Sequence, residues 1–462
     1  MAQESQLLWH SNRKMNSKLL FLIITFLISA KGTAQKVWTL DECVSYAIEN
    51  NLQLNDFNFN TQSNKESYRQ SVRDLLPTVS GFANYFVRFG RQINPDDNSI
   101  VNTDIFSNNY SVDASFDLFQ GFQKINTIKA SKFLFKATKE ESLQQKYLLA
   151  FRVMAAYYDI QFIDGLITIS KEQVEISQTN YDLVNKQVEL GVMAGADLYE
   201  AESLLFQDKL LLTQNENRLK AAKLTLLQAM NIEGESDIAI QPELVDTNKD
   251  NVPEASHSDS IFLAAKGFMP SIKAQTYRVK AAKKQLAATR GSLYPTVSLG
   301  GGIGTGYFET QVDEDTQETI PFRDQFKNNR NEYIGATLNM PIFSGWASRS
   351  RVKQQKIALE RAKNTAKVTE QELYQIIQQL VQEHDALVAE TAQTEKSVTS
   401  QGLAFNIAQK RYERGMINAI ELGQAKTLYA TAQNQNLQAQ LRLRVNISTL
   451  DFYKGLPIFN IN

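Results

Sequence analysis

A single cysteine, Cys43, among 462 residues excludes a disulfide framework. Three histidines add too little to make a Cys/His metal cluster, so no metal and no cofactor is expected. Neither sign of charge dominates: the net charge is −1 and no long basic stripe occurs, which argues against nucleic acid as a partner. Beyond residue 34 no apolar run approaches 18 residues, so no helix of the mature chain should span a bilayer. Proline is scarce as well. There are nine, and none falls in 96–241 or 342–456. Those two spans are rich in Ala, Leu, Gln, Lys and Glu, the composition of long helices.

What is present begins with an export signal. Lys18 precedes the apolar run LLFLIITFLISA (19–30), and Gly32-Thr33-Ala34 supplies small residues for cleavage after Ala34. The first 14 residues fit no part of a signal and read as an N-terminal extension. Cys43 follows Asp41 and Glu42 rather than a small-residue box, so no lipid anchor is expected. An exported chain without a membrane-spanning helix can still enter a membrane as the strands of a closed barrel.

The chain then says the same thing twice. LLPTVSGF (75–82) resembles LYPTVSLG (293–300), FDLFQGF (116–122) resembles MPIFSGW (340–346), and QVELGVMAGADLYEA (187–201) resembles RYERGMINAIELGQA (411–425). Gly121 to Gly191 and Gly345 to Gly415 are both 70 residues apart. Each unit reads as an amphipathic helix (40–75; about 258–292), two strands, a long helical arm, a glycine stop and a return helix (about 197–229; about 420–453). Thr39 with Glu42 is a capping-box signature. Period-two alternation marks the strands: Tyr110, Val112, Ala114 and Phe116 oppose Ser111, Asp113, Ser115 and Asp117, and Ile334, Ala336, Leu338 and Met340 oppose Tyr333, Gly335, Thr337 and Asn339. Long polar loops, about 90–108 and 309–331, separate the strands of each pair. GGGIGTG (300–306) lies in a strand pattern, where glycines let a barrel wall flatten or bend, and is a poor nucleotide loop.

The resulting division is an extension and signal peptide (1–34), a first repeat (35–230; strands about 77–89 and 109–118, helical hairpin 120–229), a linker (231–257), a second repeat (258–457; strands about 295–308 and 331–341, helical hairpin 344–453) and a tail (458–462). Seventy helical residues extend about 105 Å and must pack along partners of similar length. Ile160, Ile167, Val174, Tyr181 and Val188 form a heptad seam, with His384, Thr391, Val398, Phe405 and Tyr412 in the second unit. The neighbouring register, Ile163, Ser170, Ser177 and Val184, is more polar and is expected to line water. The helices before the strands should meet the return helices end to end along the arms. Two strands per unit give four per chain, which cannot close a barrel. Two chains would supply eight and three would supply twelve, so the chain must oligomerise, with a hollow helical cylinder continuing the barrel.

These features together resemble the TolC-type outer-membrane channel-tunnel family. The resemblance rests on WTLDECVSYAIENNLQL (38–54), the PTVS strand entries, the strand exits at 116–122 and 340–346, and the glycine phrases, and covers roughly 36–457. It implies a mainly α fold with a small β part, a homotrimer whose 12-stranded barrel sits in the outer membrane, and an α-helical barrel in the periplasm. It implies no catalysis but passive export, as the exit duct of a tripartite efflux pump or type I secretion system. The implied partners are a periplasmic adaptor, an inner-membrane RND or ABC-type pump, and outer-membrane lipid. Gly191, Val192, Gly415 and Met416 match adaptor-docking tips. Asp197, Tyr412 and Glu421 match the entrance constriction. Gln424 stands where a second acid can occur and Ile417 where a basic partner can, so the pattern of a full lock is broken. A periplasmic coiled-coil adaptor or scaffold is the alternative reading, although such proteins usually carry one hairpin between strand-rich domains.

Overall fold

The computed structural model describes residues 36–93, 98–102, 104–242, 257–313, 315–316 and 318–459. The expected extension and signal peptide, much of the linker and the end of the tail lie outside the described residues.

The chain opens with β1 (Val37–Trp38), then α1 (Leu40–Asn50) and α2 (Leu52–Arg73). The capping box is formed: Thr39 Oγ1 accepts the Glu42 N–H, and Glu42 Oε2 accepts the Thr39 N–H at 3.0 Å. The single helix expected over 40–75 is instead broken at Asn51, whose side chain caps α2 by accepting the Leu54 N–H at 3.0 Å. There follow β2 (Thr78–Arg88), a small hairpin of β3 (Arg91–Ile93) and β4 (Ile100–Asn102), and β5 (Ile105–Gln120). The loop expected at 90–108 is therefore partly strand, and β5 starts four residues before the expected 109.

The first arm is α3 (Gln123–Glu189), 67 residues or about 100 Å long, and α4 (Gly195–Met230) returns along it. β6 (Ala239–Ile240) pairs in parallel with β1. The second unit has α5 (Ser258–Phe268), α6 (Pro270–Gly291), β7 (Thr296–Phe308), the short α7 (Phe322–Asn328), β8 (Asn331–Asn339), the arm α8 (Ala347–Glu413) and the return α9 (Ala419–Lys454). The helix expected over 258–292 is also broken. Pro270 lacks an N–H, and the preceding Met269 takes the extended backbone that a following proline favours. α7 is a second element inside an expected loop. Gln325, fully buried, fastens it by accepting the Phe308 N–H and donating to the Phe308 and Ile320 carbonyls, replacing a missing strand neighbour.

Both arms are 67 residues and both return helices 36, so the two hairpins are equal in length. The end-to-end junctions are present. Asn51 Nδ2 donates to Asn231 Oδ1 at 3.1 Å and to the Ala229 carbonyl, joining the start of α2 to the end of α4. In the second unit Phe268, at the end of α5, meets Phe452 near the end of α9 edge to face. Apolar clusters around Val153, Tyr157 and Leu226, and around Ile261, Ile377 and Leu450, form the core at this level. Cys43 is wholly buried in the first of them, and burial pushes its thiol up to about 12.

The four long strands make one antiparallel sheet in the order β2-β5-β7-β8. Opposed residues share a face, so the register places Val79, Ala83 and Tyr85, Tyr110, Val112 and Ala114, Leu299 and Ile303, and Ile334 and Leu338 together on one exposed apolar face. The other face carries Ser111, Asp113, Ser115, Thr337 and Asn339. Alternate glycines of β7 line this polar face. A Cβ at Gly302 would lie 2.5 Å from Asp113 Oδ1 and 2.8 Å from Tyr333 Cε1. The glycine leaves room for Tyr333 Oη to donate to Asp113 Oδ1 across the strand at 2.8 Å. Clearance for this cross-strand bond, more than flattening, is its role. An apolar outer face and a polar inner face are what a membrane barrel wall requires. No described helix is long and apolar enough to cross a membrane.

A further expectation also fails. The register Ile163, Ser170, Ser177 and Val184 does not line water: all four residues are buried. Ser170 accepts from Asn215 Nδ2 at 2.9 Å, so the polar residues are used as hydrogen-bond partners between helices.

Candidate functional site at the hairpin tips

Each arm ends in the same backbone device. After α3, Gly191 takes φ +72°, its N–H reaches the Val188 carbonyl at 2.9 Å, and the Val192 N–H reaches the Gln187 carbonyl at 2.8 Å. After α8, Gly415 takes φ +67°, its N–H reaches Tyr412, and the Met416 N–H reaches Arg411 at 2.9 Å. This is a Schellman stop, which needs a left-handed residue and so favours glycine. Both glycines are open to solvent, with nothing within 4 Å of an added Cβ. Val192 is 72% exposed and Met416 63%, so each tip presents an apolar side chain at its extreme end.

The return helices begin a few residues later. Asn418 Oδ1 accepts the Glu421 N–H at 2.9 Å and caps α9. In α4 the cap works in the other direction: the Asp197 carboxylate accepts the Ala194 N–H at 3.3 Å. Both acids thus sit in the first turn of a helix, where the dipole favours them. Glu421 and Gln424 are exposed, one turn apart on α9. Asp197 is half-buried.

Tyr412 is buried in an apolar cluster with Val184, Ala201, Phe405, Ala419 and Leu422, joining the two hairpins just above their tips. Among the described residues its hydroxyl makes no well-formed hydrogen bond, and the Asn180 side chain is its polar neighbour. Burial pushes its ionisation up, and the negative charges of Asp197 and Glu200 add to this, while the Asn180 side chain acts in the opposite direction. The structure thus brings Asp197 and Tyr412 into one electrostatic neighbourhood. Ile417, standing where a basic partner could occur, packs onto the same apolar cluster. The residues that hold the hairpins together at this level are therefore mostly apolar.

One group at this end was missed by the sequence reading. Lys426, two turns up α9, is buried and pairs with Asp208. Its signal was available: Ala419, Leu422 and Lys426 follow the three–four spacing of an inward-facing stripe.

Known proteins resemble this chain over most of its length. The family model for outer membrane efflux protein matches residues 43–231 and 265–456. Outer membrane efflux protein BepC of Brucella suis is 22% identical over 413 residues, covering 89% of this chain and 82% of the relative. Outer membrane protein OprJ of Pseudomonas aeruginosa is 21% identical over 389 residues, covering 82% and 76%. Among solved structures, the CmeC outer membrane channel of Campylobacter jejuni superposes with a TM-score of 0.77 over 90% of this chain and 85% of that one, at 16% identity. At that identity the likeness speaks for the fold.

Proposed function

This chain belongs to the outer membrane efflux protein family, and from that premise we propose how its parts carry export. It is an outer-membrane exit duct, with its helices in the periplasm. Three copies bring together their four-stranded sheets as a twelve-stranded barrel, edge strand β8 of one chain pairing with β2 of the next. Closure satisfies both edges at once, as the hydrocarbon layer demands. The six hairpins form a tunnel below the barrel. Their tips dock a periplasmic adaptor that delivers substrate from an inner-membrane pump, of either the efflux or the type I secretion kind. Gly191 with Val192 and Gly415 with Met416 are the docking points. Around the threefold axis three copies of Glu421, with Gln424 beside them, ring the entrance. Asp197 and Tyr412 brace the second hairpin behind that ring.

The observation that carries this reading is the pair of exposed, glycine-stopped tips about 100 Å of helix away from a sheet with one apolar face. The adaptor alternative lacks support, because the matched family is the channel component. The test is membrane fractionation with unheated gels. A heat-resistant trimer in the outer membrane is expected, whereas a soluble periplasmic monomer would overturn the duct.

A further inference from the structure

Lys426 is only 7% exposed. Its ammonium donates to the Asp208 carboxylate and, at 2.5 Å, to the Ser177 hydroxyl, which itself donates to Asp208. These residues lie on α9, α4 and α3, so one buried node ties the second hairpin to both helices of the first. Around the node small and polar residues are mixed with the apolar cluster of Phe405, Tyr412 and Leu422. A Cβ at Gly423 would lie 3.5 Å from Leu204 Cδ1, Ala201 and Ala419 fill the cluster below, and the amide of Gln173 is buried without a partner. The small and polar part of this contact distinguishes poorly between heptad registers, because small side chains interdigitate little.

The node distinguishes them. One heptad away from the tip, Lys426 would reach the height now held by Gln433, which donates to the exposed Glu172 at 3.0 Å. Asp208 would be left largely buried without its cation. One heptad toward the tip, the ammonium would take the place of Ala419 among Val184, Ala201 and Leu422. Either slip buries an uncompensated charge, which costs far more than the pair itself contributes.

We propose that Lys426, Asp208 and Ser177 are a register pin that sets the height of the second tip relative to the first. The claim rests on the docking reading only in that a partner touching both tips needs them at fixed heights.

The test is a crosslink in the full-length outer-membrane protein. Leu204→Cys with Gly423→Cys reports the register of α9 on α4. The native Cys43 is wholly buried and does not compete. Lys426→Met is expected to lower the disulfide yield at least fivefold. The apolar trio Lys426→Met, Asp208→Leu and Ser177→Ala should still assemble as a trimer, since replacing a buried pair by apolar groups is commonly tolerated. Its crosslink yield should nevertheless stay several-fold low, because buried charges no longer penalise a slipped register. A trio that crosslinks as well as the parent overturns the pin and leaves the node as core packing. Should the trio fail to assemble, the exchange Lys426→Asp with Asp208→Lys decides: recovery of the crosslink supports the pin, and no recovery overturns it. The crosslink is blind to docking, so failure of the docking reading shows only as normal export by the tip variants.

Discussion

Replacing Gly415 by alanine and by glutamate separates the backbone role of the tip from its surface role. At φ +67° any other residue costs roughly 1–2 kcal/mol, and with nothing within 4 Å of the new Cβ there is no steric addition. The two variants therefore carry the same backbone penalty, at a turn that stands clear of the apolar cluster formed by Tyr412 and Ile417 just above it. Trimer heat resistance should fall slightly and equally in both. Export should differ: if the tip docks an adaptor, Gly415→Ala keeps most of it, whereas Gly415→Glu places a charge beside Met416 and loses it. The same contrast is expected at Gly191. Export is read as resistance to a toxic substrate, and docking as co-purification of the adaptor. Normal export by both glutamate variants would refute the docking role. Equal loss in alanine and glutamate would show that backbone strain, not the surface, is what matters.

Glu421→Ala should weaken block by multivalent cations in planar-bilayer recordings, because a ring of three carboxylates in a narrow mouth concentrates counter-ions. Unchanged block would remove Glu421 from the constriction. Gly302→Val should drive apart Tyr333 and Asp113, given only 2.5 Å between the new Cβ and Asp113 Oδ1, and lower the temperature at which the trimer dissociates on gels; an unaltered temperature would contradict the clearance argument. Tyr412→Phe removes a buried hydroxyl whose polar neighbour is the Asn180 side chain and should change the stability of the tip by no more than about 1 kcal/mol, read by proteolysis there. The folded-state ionisation of Tyr412 is raised, so the wild type holds its proton more tightly when folded. Its stability should decline as pH rises past about 10, the ordinary tyrosine value, and Tyr412→Phe should lack that part of the decline. Identical alkaline profiles would count against the burial of the hydroxyl.

The features legible in the sequence are those whose cause is local. The glycine phrases could be read as helix stops because the Schellman turn involves only residues 187–192 and 411–416. Strand faces followed from alternation, and equal arms from the repeated 70-residue spacing. Asn51 and Pro270 are local signals too, yet the helical pattern on both sides outweighed them and the breaks were missed. α7 escaped because its anchor is Gln325 turned onto the Phe308 backbone, a contact that no periodicity encodes. The polar register at Ser170 and Ser177 reads as water-facing because a heptad gives the phase of a side chain, not the identity of what it faces.

The repeat, the arm lengths, the stops at Gly191 and Gly415 and the apolar face of the strands can all be read along the chain, because each shows as a local motif or as the spacing between two such motifs. That Lys426 finds Asp208 and Ser177, 218 and 249 residues away in the chain, is visible in the folded chain alone. A charge becomes a buried partner only after two separate hairpins have packed, and that packing is set by the sum of many weak contacts along their whole length.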